Sequence, residues 1–256
     1  MPVLSLEQAE IFFLILIRIS AIIVTIPVLG DASVPARVKI GLSLLMTMLL
    51  FPVIRTQITN PSFDLFSLIL RIFGEVLIGV MIGFTARVLF AGIQLAGQLI
   101  GFQMGFSIVS VIDPASSMES SVIAEFQYIV AVLIFLVMDG HHIFIHAIAD
   151  SLRILPPLSF HLSGPLLDAL IGLIGKMFAV AMRVGAPVVA ILFFLSISLG
   201  LVARTVPQIN IFIVGFPLQI AIGLIGVGVT LPLFIKLLER CFLDMQSEIA
   251  TLLRVM

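Results

Sequence analysis

LFSLILRIFGEVLIGVMIGFTARVLFAGIQLAGQLIGFQMGFSIVSV, residues 65–111, is apolar along its length, yet it carries Glu75, Arg87 and repeated glycines. A helix crosses a bilayer with about 20 residues, so this run is far too long for one span. Arg87 in its middle predicts two helices, 65–84 and 88–111, or one bent hairpin. The run lacks the alternation of polar and apolar residues that a closed barrel needs, and open sheets cannot span lipid, so the fold class is all-α.

The rest of the chain has the same texture. Hydrophobic residues make up 61% of its 256 residues and charged residues 11%, against roughly 45–50% and about 25% in soluble domains. Mean hydropathy is +1.31. A soluble fold cannot hide so much apolar surface, so the sequence reads as an integral membrane protein. Its length accommodates about six apolar segments and no sizeable soluble domain. With 13 Lys and Arg against 14 Asp and Glu, there is no basic footprint for nucleic acid. Cys241 is the single cysteine and predicts neither an internal disulfide nor a thiolate metal site. Glu7, Glu10 and the late first basic residue, Arg18, do not form a cleavable signal peptide, so the first segment is expected to stay.

Further helical runs are predicted at 11–29, 40–54, 122–138, 166–202 and 209–235. Pro187 inside the run 166–202 predicts a kink or break. Pro, Ser, Asn and Asp mark turns at 31–35, 59–64, 113–121, 156–165 and 205–210. The picture is a multi-span protein of helical hairpins with broken or kinked helices, formed by residues 1–256 as one unit. Its last part, 236–256, carries a heptad stripe of Leu238, Phe242, Met245, Ile249, Leu252 and Met256. Two readings stay open for this C-terminal amphipathic helix: it lies in the membrane interface, or it docks a partner. Lys236, Arg240 and Arg254 favour a cytoplasmic C-terminus, but a six-span arrangement then places Arg37 and Lys39 on the opposite side.

Charges within apolar runs are the first candidates for function. Glu75, Arg87, Glu125, Lys176 and Arg183, with Arg18, would together cost on the order of 15–20 kcal/mol facing lipid, at about 2.5–3.5 kcal/mol each. They must therefore pair, snorkel or face water, as internal ion pairs or as a polar pathway between helices. Gly97, Gly101 and Gly105 recur every four residues, as do Gly79 and Gly83, and so lie on faces that admit close backbone contact. Gln94 and Gln98 share the spacing and suit hydrogen bonds across helices.

From Gly105 and Phe106 the chain passes into a turn containing Asp113, Pro114 and Met118. This stretch reads as an ordinary loop or as a deformable constriction sealed by Phe106 and Met118. Asp139, His142, His146 and Asp150 fall on one helix face, which suits either a polar interfacial face or a divalent metal. Ile143 stands where a metalloprotease of the H-E-x-x-H type needs glutamate, so that chemistry fails. No nucleophile elbow, phosphate-binding loop or nucleotide motif is present, and neither an enzyme nor a cofactor or metal is expected.

Arg204-Thr205-Val206-Pro207-Gln208-Ile209-Asn210-Ile211-Phe212-Ile213-Val214-Gly215-Phe216-Pro217 closely resembles a signature of the flagellar biosynthetic protein FliR family. Other matches follow in the family's order along nearly the whole chain. They are Pro27 to Gly30, Val34-Pro35, Arg37 to Lys39, Ile78-Gly79, Gly83-Phe84, Ala96-Gly97, Ile100-Gly101, Gln103 to Gly105, Asp113 to Ser116, Gly140-His141 and Leu155-Pro156.

The resemblance implies a non-enzymatic export-gate subunit at the flagellar basal body, in the bacterial inner membrane, passing unfolded flagellar proteins. Its implied partners are FliP and FliQ in a heteromeric gate, with FlhB and FlhA. It further implies a FliP-like part followed by a FliQ-like hairpin, much of whose helices contact protein rather than lipid. A family loop that plugs the closed channel falls around residues 105–122, which makes Gly105, Phe106, Asp113, Pro114 and Met118 the expected constriction. Arg204, Pro207, Gln208, Asn210, Gly215 and Pro217 are expected to fix a helix break and contacts between subunits. The alternative from another class is a secondary transporter for a small solute or ion, with Glu75, Arg183 and a break at Pro187 as its midplane site.

Overall fold

Every regular stretch in the computed structural model is α-helical within its described residues, which are 6–54, 65–106, 121–157, 164–206, 208 and 211–256. Seven helices are seen there: α1 (Leu6–Thr25), α2 (Ala36–Ile54), α3 (Leu65–Gln103), α4 (Val122–Val137), α5 (Gly140–Ile154), α6 (Gly164–Thr205) and α7 (Ile211–Val255). Four of them, α1, α3, α6 and α7, are long and apolar enough to cross a membrane, and α4 with α5 forms a bent pair that makes a fifth if taken as one span.

Two predicted breaks are absent. The stretch from 65 onward is one 39-residue helix and not two helices or a hairpin. Arg87 does not break it, because arginine is a good helix former and its side chain has a use outside the helix. Arg87 Nε donates to the Thr25 carbonyl at 2.7 Å and Nη2 to the Val24 carbonyl at 3.3 Å. These carbonyls belong to the last turn of α1, whose acceptors have no partner within the helix and whose dipole favours a cation. The second absent break is at Pro187, which lies inside the 42-residue α6. The amphipathic stretch 236–256 continues the 45-residue α7, which holds Pro217 and Pro232 in its interior. Each proline removes one backbone bond, and the apolar residues on either side sustain the helix.

Two compact units are formed. One comprises residues 1–88, 139–173 and 242–256. Here α1 buries Leu14, Ile15, Ile19 and Ile22, and α3 buries Ile78 and Ile82, at the three- and four-residue steps of a helix face. The heptad residues Phe242, Met245, Ile249 and Leu252 are also buried in this unit. The stripe is thus covered by the chain itself. Helix α2 lies on α1, with Phe12 and Phe51 in edge contact at a centroid distance of 5.6 Å. Its buried Ser43 and Thr47 hydroxyls donate to the carbonyls of Lys39 and Ser43, so neither is left unsatisfied. The outer face of α2 exposes Val38, Ile40, Met48 and Leu49.

The corner between α1 and α2 accounts for the sequence Pro27 to Lys39. A side chain at Gly30 would be driven into the carbonyls of Val24 and Ile26. The Asp31 carboxylate accepts the Ser33 N–H at 2.8 Å, and this bond, aided by the Ser33 hydroxyl, holds its pKa below the usual carboxylate value. Lys39 Nζ donates to the carbonyls of Gly30 and Asp31 at 2.9 and 2.8 Å, closing the corner.

The other unit comprises residues 89–138 and 174–241. Its core is Ile100 of α3 and Met104 just after it, Ile123 of α4, Val188 and Leu192 of α6, and Val227 of α7. Phe90 adds edge contacts to Tyr128 and Phe135 of α4.

Candidate functional site

Arg18, on α1, is fully buried, and an unpaired guanidinium there would be untenable. Its Nε donates to Glu75 Oε2 of α3 at 2.5 Å, and Nη1 donates to the carbonyls of Ser151 and Leu155 at 2.8 Å each. One side chain therefore ties α1, α3 and the end of α5 together. Ser151 and Leu155 escape sequence reasoning because they contribute backbone oxygens. A second pair, Arg71 Nη1 to Glu10 Oε1 at 2.8 Å, joins the same two helices nearer their ends.

The burial of Arg18 depends on close helix approach. A Cβ at Gly79 would stand 2.6 Å from the Ala21 Cβ and 2.7 Å from the Arg18 carbonyl, and one at Gly83 would strike Thr25. In the other unit, Gly97 lies against the backbone of Ala124 and Gly101 against Ser121, whose hydroxyl donates to the Gly97 carbonyl at 3.5 Å. The glycine faces expected from the four-residue spacing are packing faces, and their partners are α1 and α4. Gln94 is half-buried and Gln98 exposed. A glutamine bond across helices is made instead by Gln219, whose Nε2 donates to Ser196 Oγ at 3.1 Å. No spacing rule singles out that pair.

Gly105 ends α3. It has φ +91, its N–H donates to the Phe102 carbonyl at 3.0 Å, and the Phe106 N–H reaches back to the Gly101 carbonyl at 3.1 Å. This six-to-one and five-to-two pairing is a Schellman motif, which calls for glycine at the left-handed position. Phe106 then packs against the core around Ile100 and Met104. A Cβ on Gly105 would stand 2.8 Å from the ring of Phe216, so the signature segment supports this stop from the side. Asp113, Pro114 and Met118 lie outside the described residues, as do Pro207 and Asn210. Of the remaining signature positions, Gly215 is buried, while Arg204, Gln208 and Pro217 are exposed.

The other charges stay at the surface. Glu125 is exposed in the first turn of α4, where the helix dipole favours an acid. Lys176 and Arg183 are exposed on α6, seven residues apart and so on one face. The predicted constellation of Asp139, His142, His146 and Asp150 divides. Asp139 gathers with His141 and His142, whereas His146 and Asp150 line a shallow groove with Gln246, Ile249 and Ala250.

The chain matches the family described as "Bacterial export proteins, family 1" over residues 9–245. It is 34% identical over 248 residues to the flagellar biosynthetic protein FliR of Escherichia coli strain K12, covering 97% of this chain and 93% of the relative. Identity to the protein of that name in Bacillus subtilis strain 168 is 38% over 237 residues, 90% of each chain. With that of Aquifex aeolicus strain VF5 it is 27% over 228 residues, covering 89% and 87%.

Proposed function

The chain belongs to the bacterial export proteins, family 1, and on that premise we propose how it works as a component of the flagellar type III export apparatus. It is a wall subunit of the export gate. It assembles with FliP and FliQ, in association with FlhB and FlhA, in the bacterial inner membrane, and lines the route of unfolded flagellar proteins without a reaction of its own.

One observation carries this reading. Helix α6 is 42 residues long, a contour of roughly 63 Å, and only 11% of its most apolar window is buried within the chain. The hydrocarbon layer is about 30 Å thick. Fitting such a helix inside it would need a tilt of about 60°, beyond the roughly 0–40° range of membrane helices. Part of its uncovered face, with Phe178, Met182, Phe193 and Phe194 exposed, is therefore best covered by other protein. Lys176 and Arg183 on α6 support the same view, since charges facing lipid cost about 2.5–3.5 kcal/mol each and charges facing a wet channel or a partner do not. The transporter reading loses its site: the Glu75 carboxylate is taken up by Arg18, and α6 is not broken at Pro187.

Within the gate, Phe106 and residues 113–118 form the seal that holds the closed channel shut. Replacing Phe106 and Met118 by serine is expected to raise ion leakage through the closed complex, and unchanged conductance in reconstituted vesicles would overturn that role. The assembly itself is tested by co-expression with FliP and FliQ, purification through a tag on this chain, and native mass measurement. A defined heteromeric particle is expected; a stable solitary chain or homodimer would sink the proposal.

A further inference from the structure

Asp139 precedes α5 in the left-handed region, with φ 55 and ψ 32, a conformation that aspartate tolerates better than most residues. A carboxylate at this position ordinarily accepts a backbone N–H of the first turn. Here it makes no such cap bond, and the Asp139 carbonyl accepts the His142 N–H instead, at 2.8 Å. The uncommitted carboxylate faces two imidazoles. Its Oδ1 lies 3.9 Å from His141 Nε2 and 3.9 Å from His142 Nδ1, and the three ligand atoms all fall within 4.8 Å of one another.

That spacing suits a metal better than a hydrogen-bonded triad. At 3.9 Å no hydrogen bond forms. Ligand atoms sharing one tetrahedral zinc stand about 3.3 Å apart at ordinary Zn–N and Zn–O lengths, so closing the set needs shifts of under about 1 Å. The side chains have room for this, being 40%, 58% and 69% exposed for His141, His142 and Asp139. His141 Nδ1 is buried, which leaves Nε2 as the atom it offers. Two neutral imidazoles and a carboxylate form a donor set for zinc and the late first-row divalent ions, with a coordination position left for water or a partner's side chain. We propose that Asp139, His141 and His142 bind a divalent transition metal of the zinc class at the head of α5.

The full-length chain, purified in detergent through a histidine-free tag and stripped with chelator, is titrated with zinc chloride against a colorimetric chelator. One equivalent is expected to bind. Loss of an outer-sphere partner already weakens metal sites about 10- to 100-fold, so His142→Ala and Asp139→Asn are expected to weaken binding at least about tenfold. His146→Ala, altered in the groove beside Gln246, is expected to bind as the unaltered chain does. Far-UV circular dichroism of each variant reports the fold independently, and cobalt in place of zinc gives a visible spectrum that His142→Ala should lose. Absence of stoichiometric zinc in the unaltered chain, or equal affinity in His142→Ala, would overturn the proposal. So would an equal loss in His146→Ala.

Discussion

Arg18 illustrates how a charge in an apolar segment can belong to the structure. Removing one member of a buried ion pair leaves the other without compensation, at about 3–5 kcal/mol, whereas replacing both with apolar residues of similar volume is often near neutral. Arg18→Ala and Glu75→Ala are each expected to destabilise the detergent-solubilised chain by that amount in denaturant unfolding. Arg18→Met combined with Glu75→Leu is expected to recover most of it. Equal, additive losses in the double variant would mean that the pair does not act as a unit. Both residues were legible as charges that had to be compensated. Their pairing was not, because they lie 57 positions apart and two of Arg18's three hydrogen bonds end on backbone carbonyls, which leave no mark in a side-chain pattern. Gly105 was legible as special, but its immediate role is to stop α3, a local duty that the plug reading does not require.

Helix identity was easier to read than helix extent. The apolar runs and the glycine faces were evident, since composition and four-residue spacing are properties of the sequence alone. The expected breaks at Arg87 and at Pro187 did not occur, because whether a helix survives such a residue depends on what surrounds it. Arg87 finds the carbonyls at the end of α1, and no local rule encodes that meeting. The glycines separate in the same way. Gly97→Ala would push a Cβ into the Ala124 backbone, and overpacking of this kind typically costs about 1–3 kcal/mol. Gly172 on α6 has nothing within 4 Å, so Gly172→Ala is expected to be neutral or to stabilise the isolated chain by up to about 1 kcal/mol. Thermal unfolding of the two variants side by side checks the contrast, and equal behaviour would deny that the α3–α4 contact is tighter than the surroundings of Gly172.

Family, membrane class and all-helical fold were legible in the chain as a whole, through composition and through the signature ending at Pro217. The candidate site was legible in part: the glycine faces and Arg18 with Glu75 are in place, and Asp139 with His142 were candidates from their spacing, whereas the contacts of Phe216 and Gln219 and the gathering of His141 with Asp139 and His142 emerged only from the fold. Helix α6 adds a consequence for the cell. A newly made copy reaches the membrane with a long greasy rod that neither its own helices nor the bilayer can cloak in full. On the proposed assembly, a copy still waiting for its companions is a natural client for membrane quality control, and its supply would have to be matched to theirs. A pulse-chase experiment is expected to show a shorter half-life for the chain made alone than for the chain made with FliP and FliQ. The same disparity would make its synthesis rate, and not its folding, the quantity that limits how many gates a cell completes without waste.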